Sequence, residues 1–357
     1  MADGGRARVG DFVRVRAGAY PAAVTPTTPS DADGARPPIF SVDDDGGPVY
    51  RGRAVGGLAG TSFDRVWGLL AGDGDPLPRA EPFNLPVRTG DTRADVLSAL
   101  AQLTPAWSYR PLPEIDQALA RENLARASAM MLSFVAQSAR GYDVPAVPQR
   151  EVDLADTATE RFLVRWRGEA DPTAVRALDT FWLAVAENGV TPSTQTARLA
   201  AEVGADAASC LAASVAVGGG PFLGGAVARG LAVVEEVDRA GDARRVVEAY
   251  ADANGGSLPG FTDGLPTDLR ARLLRDACVD VGARHLEAGE AIARAAHEML
   301  LEQGRTTEES AANTMFWGAI LLDHLGVAAP LMCALYLCGR SAGWSAHVLD
   351  VHASLSG

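Results

Sequence analysis

The chain has 357 residues, 47% of them hydrophobic and 22% charged, enough to bury a large core in one domain or two. Its net charge of −13 argues against the concentrated positive face that nucleic acid requires. All 32 basic residues are arginine, and the absence of lysine excludes a Schiff-base lysine, a P-loop lysine and a lysine nucleophile or base.

Residues 1–34 are rich in Gly, Pro and Asp and read as a flexible segment without the apolar core of a signal peptide. Two short strands, 39–42 and 49–51, flank the turn Asp43-Asp44-Asp45-Gly46-Gly47, whose carboxylates read as solvated and not as a metal site. Helical periodicity sets in at Ser62. Thr92 with Asp95 has the spacing of a capping box for a helix through Leu103. A longer helix is predicted over 113–140, with Leu119, Leu124, Ala127, Met131 and Phe134 on one face. Helices over 156–167 and 172–188 follow, and Thr191-Pro192 supplies an N-cap and an N1 proline for the next. Further helices fit 206–217, 222–239, 242–253, 266–282 and 285–303. Thr306 with Glu309 caps one that reaches Leu325, and Pro330 opens a last one through about Val351. Some dozen helices with almost no strand make the chain all-α. The most apolar stretch, from Val327 to Cys338, is too short to span a bilayer, so a cytoplasmic location and no membrane partner are expected.

The residues taken alone limit the chemistry. There is no Gly-x-Ser-x-Gly motif. Gly218-Gly219-Gly220-Pro221 could hold a phosphate, but it follows a helix where a dinucleotide fingerprint follows a strand. The five histidines form no zinc motif and each reads as structural or surface; the four cysteines read as buried free thiols. No metal and no covalently bound cofactor is expected.

Four blocks carry a resemblance. The segment from Ala186 to Arg198 resembles the citrate synthase pattern Ala-Asp/Glu-His-x-x-Asn-Ala-Ser-Thr-x-Thr-Ala-Arg. Gly220-Pro221-Phe222-Leu223-Gly224-Gly225-Ala226 is similar to Gly-Pro-Leu-His-Gly-Gly-Ala. Gly260-Phe261-Thr262-Asp263 stands where the family has Gly-Phe-Gly-His, followed by Asp268-Leu269-Arg270-Ala271 for Asp-Pro-Arg-Ala. The block from Gly339 to His347 is close to Ser/Gly-Arg-Thr-Ala-Gly-Trp-x-Ala-His. With Tyr50-Arg51-Gly52 upstream, the resemblance runs from about residue 38 to 350 and is closest to the short bacterial citrate synthase and 2-methylcitrate synthase type.

The resemblance implies a two-domain helical fold, with a large domain of 35–195 and 311–357 and a small lid domain of 196–310, assembled as a homodimer. It implies acyltransferase ancestry and a CoA thioester as substrate. It also exposes departures. Asn188 and Leu223 stand at two of the family's catalytic His positions, Thr314 at its catalytic Asp and Asp263 at a further His. Of the carboxylate-binding arginines Arg340 survives, and the tail whose arginine reaches the partner subunit in the family has no counterpart before Gly357. An enolate needs a positioned base and donors aimed at the developing oxyanion. Citrate synthesis is therefore not expected. Two functions come first, a repurposed enzyme acting on an acyl or oxo-acid ligand, or a pseudoenzyme that binds a metabolite or regulates an active paralogue; a genuine citrate or 2-methylcitrate synthase is the third reading. In the first, Glu187 or Asp263 serves as acid or base, Arg340 and Gly224 bind substrate, and Arg270 and Arg272 border a CoA entrance.

Overall fold

The computed structural model describes residues 37–355 except 45, 73, 222, 256–257, 259, 262–267 and 307–309. The flexible segment expected over 1–34, together with Asp45, Asp263 and Glu309, lies outside the described residues. The chain is all-α apart from one small antiparallel sheet, as the sequence predicts. Strands β1 (Phe40–Val42), β2 (Pro48–Tyr50) and β3 (Arg53–Ala54) pair in that order, with Phe40 opposite Tyr50 and Tyr50 opposite Arg53. The third strand was not legible in the pattern. It forms because Arg51 and Gly52 both take positive φ, 47° and 77°, which reverses the chain within two residues.

Fourteen helices follow among the described residues: α1 (Phe63–Ala71), α2 (Thr92–Trp107), α3 (Gln117–Arg140), α4 (Gln149–Val152), α5 (Ala158–Arg167), α6 (Pro172–Val185), α7 (Pro192–Glu202), α8 (Ala207–Gly218), α9 (Gly225–Ala240), α10 (Ala243–Ala253), α11 (Leu269–Asp280), α12 (Leu286–Glu302), α13 (Thr314–His324) and α14 (Ala329–Leu355). Aspartates cap many of them. Asp91, Asp116, Asp171, Asp206, Asp242 and Asp268 each accept from first-turn amides. Thus Asp91, not Thr92, caps α2, and Asp95 accepts instead from the Thr89 amide and hydroxyl. Thr191 and Pro192 start α7 as expected. Asn313 caps α13, so that helix starts at Thr314 and not near Thr306.

The long helix α14 is the spine. It packs on α1, α3, α6, α7, α8 and α9, and Leu331 to His352 is buried almost throughout. Two glycines let it ride on the end of α6. A Cβ at Gly339 would lie 2.5 Å from Val185 Cγ2, and one at Gly343 only 2.0 Å from Glu187 Oε2. Helix α8 packs on α2, α3, α7 and α14, whereas α9 packs on α10, α12, α13 and α14. The packing neighbours change at the 218–225 turn. No single helix among the described residues is long and apolar enough to cross a membrane.

Candidate functional site

The segment between α6 and α7 holds Glu187 and Asn188. Periodicity alone carries α6 to 188, but the helix stops at Val185 because the next residues bond elsewhere. The Ala186 carbonyl accepts from the Gly343 amide at 3.2 Å. The Glu187 carbonyl accepts from the Tyr50 hydroxyl at 3.0 Å and from Arg270 Nη1 at 2.7 Å. Gly189, at φ 65°, then turns the chain toward the Thr191 cap.

Glu187 is fully buried and meets two partners on α14. Its Oε2 lies 3.4 Å from Arg340 Nη2, and its Oε1 lies 3.3 Å from His347 Nε2. His347 Nδ1 in turn meets Arg198 Nη1 at 3.4 Å. Burial pushes the Glu187 carboxyl up, but the Arg340 charge, His347 and the Asn188 amide outweigh it and hold the group below its ordinary range. Arg340 also donates to the Val185 carbonyl at 3.2 Å and the Thr194 hydroxyl at 3.0 Å, and is 1% exposed. The substrate arginine expected here is enclosed as the counter-ion of Glu187, and Glu187 itself is a paired structural carboxylate and not an open acid or base.

Arg270 departs furthest from expectation. It is buried, not at an entrance, and each of its three guanidinium nitrogens is hydrogen-bonded. Nε and Nη2 clamp Asp268 at 2.8 and 3.0 Å, Nη1 reaches the Glu187 carbonyl, and Nη2 reaches Asn188 Oδ1 at 2.8 Å. Asn188 itself is exposed. Arg272, two residues along α11, is exposed as well.

The other expected positions sit nearby in the fold. Leu223 is half-buried in the turn between α8 and α9, its amide on the Gly220 carbonyl at 3.1 Å. This turn uses the amides of residues 223–225, which is why α9 starts at Gly225 and not at 222. Gly224 packs on α14, since a Cβ there would lie 2.5 Å from Cys333 Sγ and 3.3 Å from Tyr336 Cδ1. Its substitution-sensitive neighbour is therefore protein, not the substrate expected of it. Tyr336 joins the two halves: it abuts Gly224, and its hydroxyl feels the charges of Arg340, Glu187 and Arg270. Thr314 is the half-buried first residue of α13, where the Asn313 amide donates to the Gly260 carbonyl at 2.8 Å. A cavity of about 790 Å³ beside Arg51, Arg53, Leu58, Arg65 and Leu69 is lined by none of these residues.

The model of the citrate synthase C-terminal domain matches residues 35–355. The chain belongs to the citrate synthase family. Relatives named "Putative citrate synthase 2" in Mycobacterium tuberculosis and Mycobacterium bovis are each 47% identical over 319 residues, covering 87% of this chain and 85% of theirs. Among solved structures, the citrate synthase of Pyrobaculum aerophilum superposes with a TM-score of 0.71 at 24% identity, covering 87% of this chain and 85% of its own. That of Thermoplasma acidophilum, solved with carboxymethyl coenzyme A and oxaloacetate, gives 0.69 at 19% identity and covers 90% of each chain. At these identities the structures speak for the fold.

Sequence reading missed His347, Arg198, Tyr50 and Asp268 as members of the cluster. One signal was present: Tyr336, Arg340, Gly343 and His347 recur at helical spacing and so share one face of α14. What that face meets lies more than 150 residues away at Glu187.

Proposed function

We propose that this family member binds an acyl thioester or an oxo acid beside Asn188 and does not form citrate. The observation that carries the reading is the state of the polar groups around that position. Asn188 offers an amide where the family pattern has imidazole, and the adjoining carboxylate, Glu187, is buried against Arg340 and His347. A threonine hydroxyl at 314 is no base near neutral pH, and Leu223 donates no hydrogen bond. Loss of one oxyanion-type donor costs on the order of 10²–10³ in rate. Losing base and donors together removes useful condensation. Asp263 and Arg272 remain the proposed acid–base and CoA-phosphate contacts of a repurposed reaction.

In this reading the site lies between a larger helical unit, built on α1–α8 with α13 and α14, and a smaller one built on α9–α12. The chain pairs as a homodimer, which the exposed Leu199 on α7 and Val203 at its C-terminal cap favour, since a second copy would cover them. A second reading, binding without turnover, is favoured by the enclosure of Glu187 against Arg340 and His347.

The test is incubation with acetyl-CoA, propionyl-CoA and longer acyl-CoAs, with and without 2-oxo acids, following free thiol and product. Thiol release with an acyl–oxo-acid pair other than acetyl-CoA and oxaloacetate is expected. A ligand-dependent rise in melting temperature without turnover supports the binding reading. Robust citrate formation refutes both.

A further inference from the structure

The hydrogen-bond polarity of position 188 is set from behind. A guanidinium carries only donors, so the Asn188 atom 2.8 Å from Arg270 Nη2 is the amide oxygen; the reversed amide would set N–H against N–H. Arg270 is itself held in place, buried and bonded to both Asp268 oxygens and to the Glu187 carbonyl. Asn188 is exposed, so its other end faces solvent.

We infer that Arg270 is a positioning residue that holds Asn188 with its oxygen inward and its amide nitrogen outward, so that this position accepts only ligands presenting an acceptor oxygen, a carboxylate or carbonyl. A histidine offers a donor or an acceptor according to tautomer and charge. Asn188 pinned by Arg270 offers donors alone at every pH where Arg270 stays charged; burial lowers the Arg270 pKa, but the charge and hydrogen bonds of Asp268 outweigh it and hold the group above even the ordinary arginine value. A ligand that needs to donate at this point meets two N–H groups and is rejected, because neither partner is then satisfied. This rests on the proposal that the surface beside Asn188 is a ligand site.

Two measurements test it separately. A neutron diffraction map of the unliganded protein locates the amide deuterons; they are expected on the solvent side of Asn188, and an outward oxygen overturns the inference whatever the protein binds. Calorimetric titration with oxaloacetate, an acceptor-only probe at this contact, compares the wild type with Asn188→Asp. The aspartate still accepts from Arg270, so its melting temperature is expected to hold, while its outward oxygen repels the probe and weakens binding at least tenfold. Equal affinity in the two proteins overturns the inference. If the wild type binds neither oxaloacetate nor acetyl-CoA, the acyl and oxo-acid reading fails, and the neutron map alone decides the role of Arg270.

Discussion

Replacing Glu187 with glutamine keeps the shape of the side chain and removes its charge. In the structure that charge balances Arg340 at 3.4 Å and lies 3.3 Å from His347 Nε2, with the carboxylate fully buried and the arginine 1% exposed. At an effective dielectric near 20, one such pair is worth about 5 kcal/mol in Coulomb energy, and removing one partner of a buried pair costs about 3–5 kcal/mol. Glutamine can still accept from Arg340, which places Glu187→Gln at the lower end, about 3 kcal/mol. With an unfolding entropy of about 2.1 cal/mol/K per residue over the chain, this lowers Tm by roughly 4 °C. Scanning calorimetry reads the shift directly. The companion variant Glu187→Gln with Arg340→Met removes both charges and is expected to lose less than the sum of the single changes, by about 1–3 kcal/mol. The sign with pH also follows: the folded Glu187 pKa is depressed, so its stabilisation is present above the unfolded value and lost as pH falls through the folded one. Glu187→Gln therefore flattens the acid limb of the stability curve. A variant melting within 1 °C of wild type, or strict additivity in the pair, refutes the account of Glu187 as a buried counter-ion.

Burial pushes the Asp179 carboxyl up to about 6, against hydrogen bonds from Thr159 and the Phe63 amide that pull it down. The stability it contributes is complete below pH 3.8 and is lost as pH rises through about 6, by about 3 kcal/mol at most. Asp179→Asn should thus raise Tm at pH 7.5 and leave it nearly unchanged at pH 4; equal differences at both would contradict the assignment. Gly343→Ala would place a methyl 2.0 Å from Glu187 Oε2 and 2.5 Å from the Ala186 carbonyl. The helix-propensity gain of about 1 kcal/mol is outweighed by overpacking, and a net loss of about 1–3 kcal/mol is expected in urea unfolding. The triple revertant Asn188→His, Leu223→His and Thr314→Asp is expected to yield only trace citrate in a thiol-release assay, because Arg340 stays bound to Glu187; full activity would show that those three positions alone had silenced the site.

Much of the fold was written locally. The Thr191 cap with Pro192, the aspartates before α8, α10 and α11, and the glycines closing α1, α5 and α9 act within about four residues, so they can be read without knowing the partners. The family blocks are likewise runs of neighbours. What failed were the places where a distant group intervenes: α6 ends early because Gly343 and Arg270 take the carbonyls of Ala186 and Glu187, and α9 starts late because a glycine turn consumes its first amides.

The same division holds at the site. Residue identity alone set Asn, Leu and Thr at 188, 223 and 314, where the resemblance leads one to expect imidazole and carboxylate, and left the chain without lysine. Tertiary structure decided that Arg340 and Arg270 turn inward, that His347 belongs to Glu187, and that Asn188 turns its amide oxygen to Arg270. The bonds behind those three facts join residues 153, 160 and 82 positions apart, and a contact of that range leaves no periodic trace in the chain that makes it.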